Sequence, residues 1–337
     1  MKRARPCRAG RAGAGVHGAV RGSLTPAHRR VRWAGTLLAA IAVLLAGCST
    51  SPASTTTAAG KGSGRVIQVV AAENFWGSMA SQIGGRHAHV VSIITSPNTD
   101  PHSYEPTAAD ARTIAGAQLV IENGIGYDPW VPRLVGADQE HPLTLDVGTL
   151  LGVPVGGNPH RWYNPTEVQA VMRQLVADYS KLDPADSAYF ARQRTRFNTI
   201  ALKQYNALSK AIRAKYTGTP VGASESIFAM LAPALGLKLI TPYPSLKAIS
   251  EGTEVSAADK QLIDNQIRDR LIKIYVYNSQ NVTPDVQAQL SEVKAEHIPY
   301  TTITETLVPA SATYQAWLAR ELAGIEAALA RAAQANR

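Results

Sequence analysis

The stretch VIQVVAAENFWGSMASQIGGRHAHVVSIIT, residues 66–95, decides the fold. Residues 66–71 are apolar except for Gln68 and rich in valine and isoleucine, the composition of a strand buried on both faces. Residues 76–83 then place Trp76, Met79, Ala80 and Ile83 three or four apart, the spacing of one helical face. Residues 89–95 return to a short β-branched run. Strand, helix and strand in this order make a βαβ unit, with parallel strands because the helix carries the chain back.

The same alternation extends outward in both directions along the body of the chain. Further strands are expected at 117–123 and 143–147, then at 220–223, 238–240, 272–277 and 299–304, with helical patterns between them and a closing helix at 312–333. Between the two sets lie a helix at 165–182, a break at Asp183-Pro184, and a run without Gly or Pro over 185–215. Apolar positions in that run are Tyr189, Phe190, Phe197, Ile200, Ala201, Tyr205, Leu208 and Ile212, which suits one amphipathic helix about 45 Å long. The expected fold is therefore α/β: two lobes, each with a mostly parallel sheet flanked by helices, joined by one long helix. The boundaries are an N-terminal lobe over 65–183, a connecting helix over 184–216 and a C-terminal lobe over 217–337.

The residues before the first strand read differently. Nine cations and no acid precede Cys48, an apolar run occupies 34–46, and Leu45-Ala46-Gly47-Cys48 follows. A basic region, a short apolar region and small residues before a cut form an export signal over 1–47. The apolar run is about half the roughly 20 residues a spanning helix needs, so it is a leader rather than an anchor. The tetrapeptide has the form of a lipobox, with Cys48 the lipidation site. Arg29-Arg30 is a faint suggestion of twin-arginine export. Residues 49–64 are mostly Ser, Thr, Ala and Gly with little to bury, and with Cys48 they form a flexible tether over 48–64. The whole chain has 34 Lys+Arg against 25 Asp+Glu; without the nine leader cations the balance is 25 against 25. The basic pI belongs to the leader, so nothing in the body points to nucleic acid. Cys7 and Cys48 are the only cysteines, which leaves no disulfide framework and no thiolate cluster.

Chemistry concentrates in two segments that resemble each other, Asp100-Pro101-His102-Ser103-Tyr104-Glu105-Pro106-Thr107 and Asn158-Pro159-His160-Arg161-Trp162-Tyr163-Asn164-Pro165. Each sets a histidine after a proline and leads into a helix start, Thr107 with Asp110 as a capping box and Asn164 before Pro165 as a cap. The histidines thus lie on loops entering helices and are expected to follow strands. Proline restricts the backbone ahead of each ring, as a ligand of fixed direction requires. A lone histidine before a helix is usually structural; the duplication is what argues for ligation. Glu225, after the strand at 220–223, and Glu305, after that at 299–304, occupy comparable places in the second lobe, although Glu225 could serve only the helix dipole. In open parallel sheets ligands bind beyond the carboxyl ends of strands. Two imidazoles and two carboxylates suit Zn²⁺, Mn²⁺ or Fe²⁺. His87, His89, His141 and His297 lack such context and are expected on the surface or in loops. Asp110 and Glu167 read as caps.

At these residues the chain resembles the zinc/manganese-binding lipoproteins of ABC importers, a solute-binding family built on two α/β lobes and one rigid helix. The resemblance rests on the two Pro-His segments, on Asn123-Gly124-Ile125-Gly126-Tyr127-Asp128-Pro129-Trp130, on Ser224-Glu225-Ser226-Ile227-Phe228 and on Glu251-Gly252-Thr253-Glu254. It runs from Val66 to the C-terminal helix. It implies metal ligands at His102, His160, Glu225 and Glu305, where the family more often has aspartate at the last position. Glutamate at the third position implies manganese; zinc ranks beside it and iron after both. It further implies a monomer that hands its ion to a permease driven by an ATPase, with the lipid anchor on the outer face of the membrane. Other readings are a zinc hydrolase with an open His₂Glu site, a siderophore-binding protein, and a surface adhesin, a role compatible with transport.

Overall fold

The computed structural model describes residues 64–138 and 141–335. The export signal, Cys48 and the tether up to residue 63 lie outside the described residues. Two four-stranded sheets, parallel throughout, form the body. In the first, β1 (Ile67–Glu73), β2 (Ala88–Ile94), β3 (Leu119–Glu122) and β4 (Leu143–Asp146) lie in the order β2-β1-β3-β4. The second repeats that order with β5 (Pro220–Ala223), β6 (Lys238–Leu239), β7 (Tyr275–Asn278) and β8 (Tyr300–Ile303) as β6-β5-β7-β8.

Successive side chains of a strand face opposite ways, and both faces of β1 are covered. Ile67, Val69 and Ala71 join one apolar cluster, while Val70 and Ala72 join another with Val120 and Ile94. The first of these clusters continues through Trp162, Leu175 and Phe197 into Val221, Ile274 and Leu322 of the second half. Helix Tyr314–Ala335 packs against helix Lys203–Tyr216 and β8, and also touches helix Asn74–Gly84 of the first half. Among the described residues no helix is long and apolar enough to cross a membrane.

The helix starts foreseen beside the two Pro-His segments are formed. Thr107 and Asp110 exchange bonds in a capping box, and Asn164 accepts from the backbone of Thr166 and Glu167 at 3.0 and 3.4 Å with Pro165 in the first turn. His102 follows β2 as expected. His160 does not directly follow a strand: the short helix Val147–Leu151 and its trailing loop separate it from β4. Asp183-Pro184 ends the helix Pro165–Leu182.

The run over 185–215 departs from a regular helix. A 3₁₀ turn, Pro184–Asp186, leads into helix Ser187–Arg196, a π-turn at Phe197–Ala201 and helix Lys203–Tyr216. The amide of Leu202 donates to the carbonyl of Phe197 five residues back, at 2.9 Å. That extra residue in the turn swings Ile200 out, 63% exposed, and brings Leu202 in, 6% exposed, between the buried Phe197 and Tyr205. A regular period would have faced Ile200 inward. Truncating Leu202→Ala should therefore cost about 2–5 kcal/mol, whereas Ile200→Lys should stay within about 0.5 kcal/mol. Urea denaturation of the two variants measures the difference; the opposite order would contradict the π-turn.

Candidate metal centre

The turn after β8 is fixed from several sides before any ligand is considered. Glu321, on the C-terminal helix, accepts from the backbone and hydroxyl of Thr304 at 2.9 and 3.0 Å. Tyr163, beside the second Pro-His segment, donates to the Thr304 carbonyl at 2.6 Å. The amides of Glu305 and Thr306 donate to Gln280 at 2.6 and 3.0 Å. Glu305 is thereby presented at the carboxyl end of the sheet with its side chain turned inward.

Glu225 arrives there from the next strand but one, directly after β5, and is 1% exposed. Asn278, the last residue of β7, lies between the two carboxylates. Its amide Nδ2 donates to Glu225 Oε2 at 2.6 Å and to Glu305 Oε1 at 2.7 Å. The remaining oxygens are held as well: Asn281 donates to Glu225 Oε1 at 3.2 Å and Tyr127 donates to Glu305 Oε2 at 2.9 Å. Burial, and then the charge of Glu225, push the Glu305 carboxyl up to about 8. Glu225 is raised too, chiefly by burial.

His160 completes a triad. It is fully buried, and its Nδ1 lies 2.9 Å from Asn158 Oδ1, which also accepts the His160 backbone N–H. An amide oxygen accepts only, so Nδ1 carries the proton and Nε2 is left with a lone pair. That Nε2 is buried without a hydrogen-bond partner. Burial, with the charges of His102 and Arg161, holds the ring well below its usual pKa, so it stays neutral. One donor atom each from His160, Glu225 and Glu305 lies within 4.8 Å of the other two.

His102 stands apart from that triad. It lines a cavity about 490 Å³ in volume together with Glu305, Asn158 and Gln280. Its half-buried ring meets Tyr127 edge-on, with centroids 4.8 Å apart. Asp100 fixes the local turn by accepting from His102 N at 2.9 Å and from Ser103 Oγ at 3.0 Å. Three of the four ligand candidates read from the sequence are thus brought together, and the fourth sits on the rim.

Tyr127 owes its position to an unusual loop. Gly124, Ile125 and Gly126 all have positive φ, 68°, 63° and 88°, and a Cβ on Gly124 would meet Asp146 Oδ1 at 2.2 Å. For β-branched Ile125 this conformation is strained. Asp128 offsets the strain by accepting from Asn123 N and Gly124 N at 2.7 and 2.8 Å. Beside it, buried Glu73 is pushed well above the usual carboxylate range by burial and by the charge of Asp128, so it remains protonated.

Several functional neighbours escaped the sequence reading: Asn278, Asn281, Gln280 and Asn74. The one usable signal was the position of Asn278-Ser279-Gln280-Asn281 at the carboxyl end of a strand. His87, expected on the surface, is instead buried at 5% exposure. Its Nδ1 pairs with Asp186 at 2.9 Å and its Nε2 accepts from Arg86 at 3.0 Å, so both ring nitrogens are engaged although Asp183 also lies close. That group ties the 3₁₀ turn Gly85–His87 to the start of the connecting helix. Glu167, read as a cap, also pairs with Arg161 at 3.0 Å.

Residues 69–328 match the family described as zinc-uptake complex component A, periplasmic. The chain belongs to this family. It is 22% identical over 222 residues to the manganese-binding lipoprotein MntA of Halalkalibacterium halodurans, covering 63% of this chain and 70% of that protein. It is 21% identical over 287 residues to the high-affinity zinc uptake system protein ZnuA of Bacillus subtilis, covering 79% and 86%. Among solved structures, the Mn-bound periplasmic metal binding protein from Candidatus Liberibacter asiaticus superposes with a TM-score of 0.66 at 19% identity, over 78% of this chain and 99% of that one. The two-lobe α/β fold is shared.

The raised carboxyl has a consequence for stability. A group that titrates near 8 when folded, against its usual 4.5, holds its proton more tightly in the folded chain. Its contribution is present below pH 4.5 and is lost as pH rises through 8. Glu305→Gln removes that loss. In chelator, the stability of Glu305→Gln relative to the parent should grow from pH 5 to pH 8.5, measured by urea denaturation; a difference independent of pH would contradict the assignment.

Proposed function

We propose that this chain is the extracytoplasmic receptor of a divalent-metal importer. It binds Mn²⁺ or Zn²⁺, with Fe²⁺ ranking below both, through His160, Glu225, Glu305 and His102. The observation that carries this reading is the buried, partnerless Nε2 of His160, grouped with two carboxylates that form no ion pair among the described residues. Leaving such a nitrogen unpaired costs free energy, and a divalent ion is the partner that would satisfy it and both acids together. Asn278, Asn281, Tyr127 and Asn158 are the outer hydrogen-bond partners that orient ligands of this kind.

Two neutral imidazoles and two carboxylates would give a neutral site around a divalent ion. At a given N/O site Zn²⁺ outcompetes Mn²⁺, so manganese preference would rest on geometry and supply. Capture and release, with no bond made or broken in a substrate, is the chemistry this arrangement supports. Membership of a periplasmic uptake family supports a permease and its ATPase as partners, and the lipobox at Cys48 supports attachment to the outer face of the membrane. Lipidation there would supply two acyl chains, enough for stable anchoring.

Titration of the mature chain with Mn²⁺ and with Zn²⁺ tests the reading. One ion per chain should bind saturably, and His160→Ala should weaken binding by at least about 100-fold; no saturable binding, or no effect of that variant, overturns it. The pH profile follows from the same groups. His160 is already neutral, so the proton that must leave is held by the two acids, both raised above the usual carboxylate range and Glu305 up to about 8. Apparent affinity should rise about tenfold per pH unit below that value, with release of about one proton per ion. An affinity unchanged between pH 6 and 8 would contradict the titration.

A further inference from the structure

The segment that carries His102 is fastened to the Glu305 turn at two points, each by one side-chain amide. Gln280, in the turn after β7, accepts from the backbone of Glu305 and Thr306 at 2.6 and 3.0 Å. Its Nε2 donates to the carbonyl of Pro97 at 2.8 Å and to Thr306 Oγ1 at 2.8 Å. Asn74, at the start of the first helix, repeats the pattern. Its Oδ1 accepts from Leu307 N at 3.2 Å and its Nδ2 donates to the carbonyl of Thr95 at 3.4 Å.

Both side chains therefore accept from residues 305–307 and donate to carbonyls at 95 and 97, five to seven residues before His102. An amide does both at once from two separate atoms, its oxygen accepting while its NH₂ donates; an ionised carboxylate cannot donate and an ammonium cannot accept. The other loop hydrogen bonds within 95–103 among the described residues are local, from Asn98, Thr99, His102 and Ser103 to Ser96 or Asp100 and from Tyr104 N to the Pro101 carbonyl. Beyond the amides, the His102 ring rests on Tyr127. One of the two amides comes from each half of the molecule, Asn74 from the first and Gln280 from the second.

We propose that Gln280 and Asn74 are positioning residues, a two-point clasp that holds the His102 segment against the Glu305 turn and sets how fast a bound divalent ion escapes. This rests on the metal-binding reading above and adds to it a kinetic role for two residues that touch no ion. Loss of either amide leaves His160 and Glu225 in place and Glu305 still held by Asn278, Tyr127 and the anchors on Thr304, whereas the His102 segment loses one of its two ties to the turn. The effect must therefore pass through His102, which makes it separable from a general loosening of the site.

The test is release of Mn²⁺ and of Zn²⁺ from the mature chain into excess chelator, followed by stopped flow. Gln280→Ala should speed release about tenfold, and Asn74→Ala, whose bonds are longer, about threefold. In a His102→Ala background Gln280→Ala should change the rate by less than about twofold, because the two residues act on one path. Equal acceleration in both backgrounds would overturn the clasp and place the effect at Glu305, and an unchanged rate in Gln280→Ala would overturn it outright. Should Gln280→Ala fail to fold, Asn74→Ala in the same two backgrounds decides by the same criteria. Hydrogen exchange without metal separates this proposal from the metal reading. Amides at 98–103 should exchange about tenfold faster in the variants than in the parent, and unaltered exchange overturns the clasp whatever the metal results. A parent chain that bound no metal would overturn the function proposed above, leaving hydrogen exchange to judge the clasp alone.

Discussion

Glu225 and Glu305 share one amide, Nδ2 of Asn278, with Glu225 and Asn278 buried and Glu305 half-buried at the cavity wall. Two acids this close repel when both are ionised, and burial penalises each charge further. A single neutral donor between them reduces that cost but supplies no positive charge. The neutral, partnerless imidazole of His160 adds a lone pair to the same place. An arrangement with three good metal-binding donors and, among the described residues, no ion pair to either acid is expensive in the folded chain, and much of the surrounding structure serves to maintain it. Glu321, Tyr163, Gln280 and Asn74 immobilise the turn after β8, while the strained loop at 124–126, stabilised by Asp128, delivers the Tyr127 hydroxyl.

The parallel topology explains why these groups meet. In each sheet the chain builds outward to one side of the first strand and then crosses to the other, so a crevice opens at the carboxyl ends where the direction switches. Glu225 follows β5 and Asn278 ends β7, the two strands that flank this point in the second sheet. Glu73 ends β1, and the loop bearing Tyr127 follows β3, the equivalent pair in the first sheet. Duplicating one strand order sets two such crevices to work on a single cavity.

How much of this could be read beforehand follows from what kind of signal each part emits. The strands and the helix at 165–182 stood out because periodicity and caps are local, and the two Pro-His segments because a duplication is visible in one dimension. The π-turn was hidden: its cause is the need to bury Leu202 together with Phe197 and Tyr205, which only the packed core imposes. Asn74, Asn278 and Gln280 were silent because an amide looks the same in a surface turn as between two buried acids. Their partners lie up to 233 residues away. His87 misled for a related reason, since Asp186, which pairs with its Nδ1, is distant in sequence.

The central claim is that the donors of His160, Glu225 and Glu305 enclose one divalent ion. An anomalous difference map from a crystal of the mature chain grown with Mn²⁺ examines it most directly. The account requires one strong peak bonded to His160 Nε2 and to carboxylate oxygens of Glu225 and Glu305, with His102 drawn in as the fourth ligand. A dominant peak elsewhere, for example beside His87 and Asp186, or no peak at saturating Mn²⁺, would contradict it.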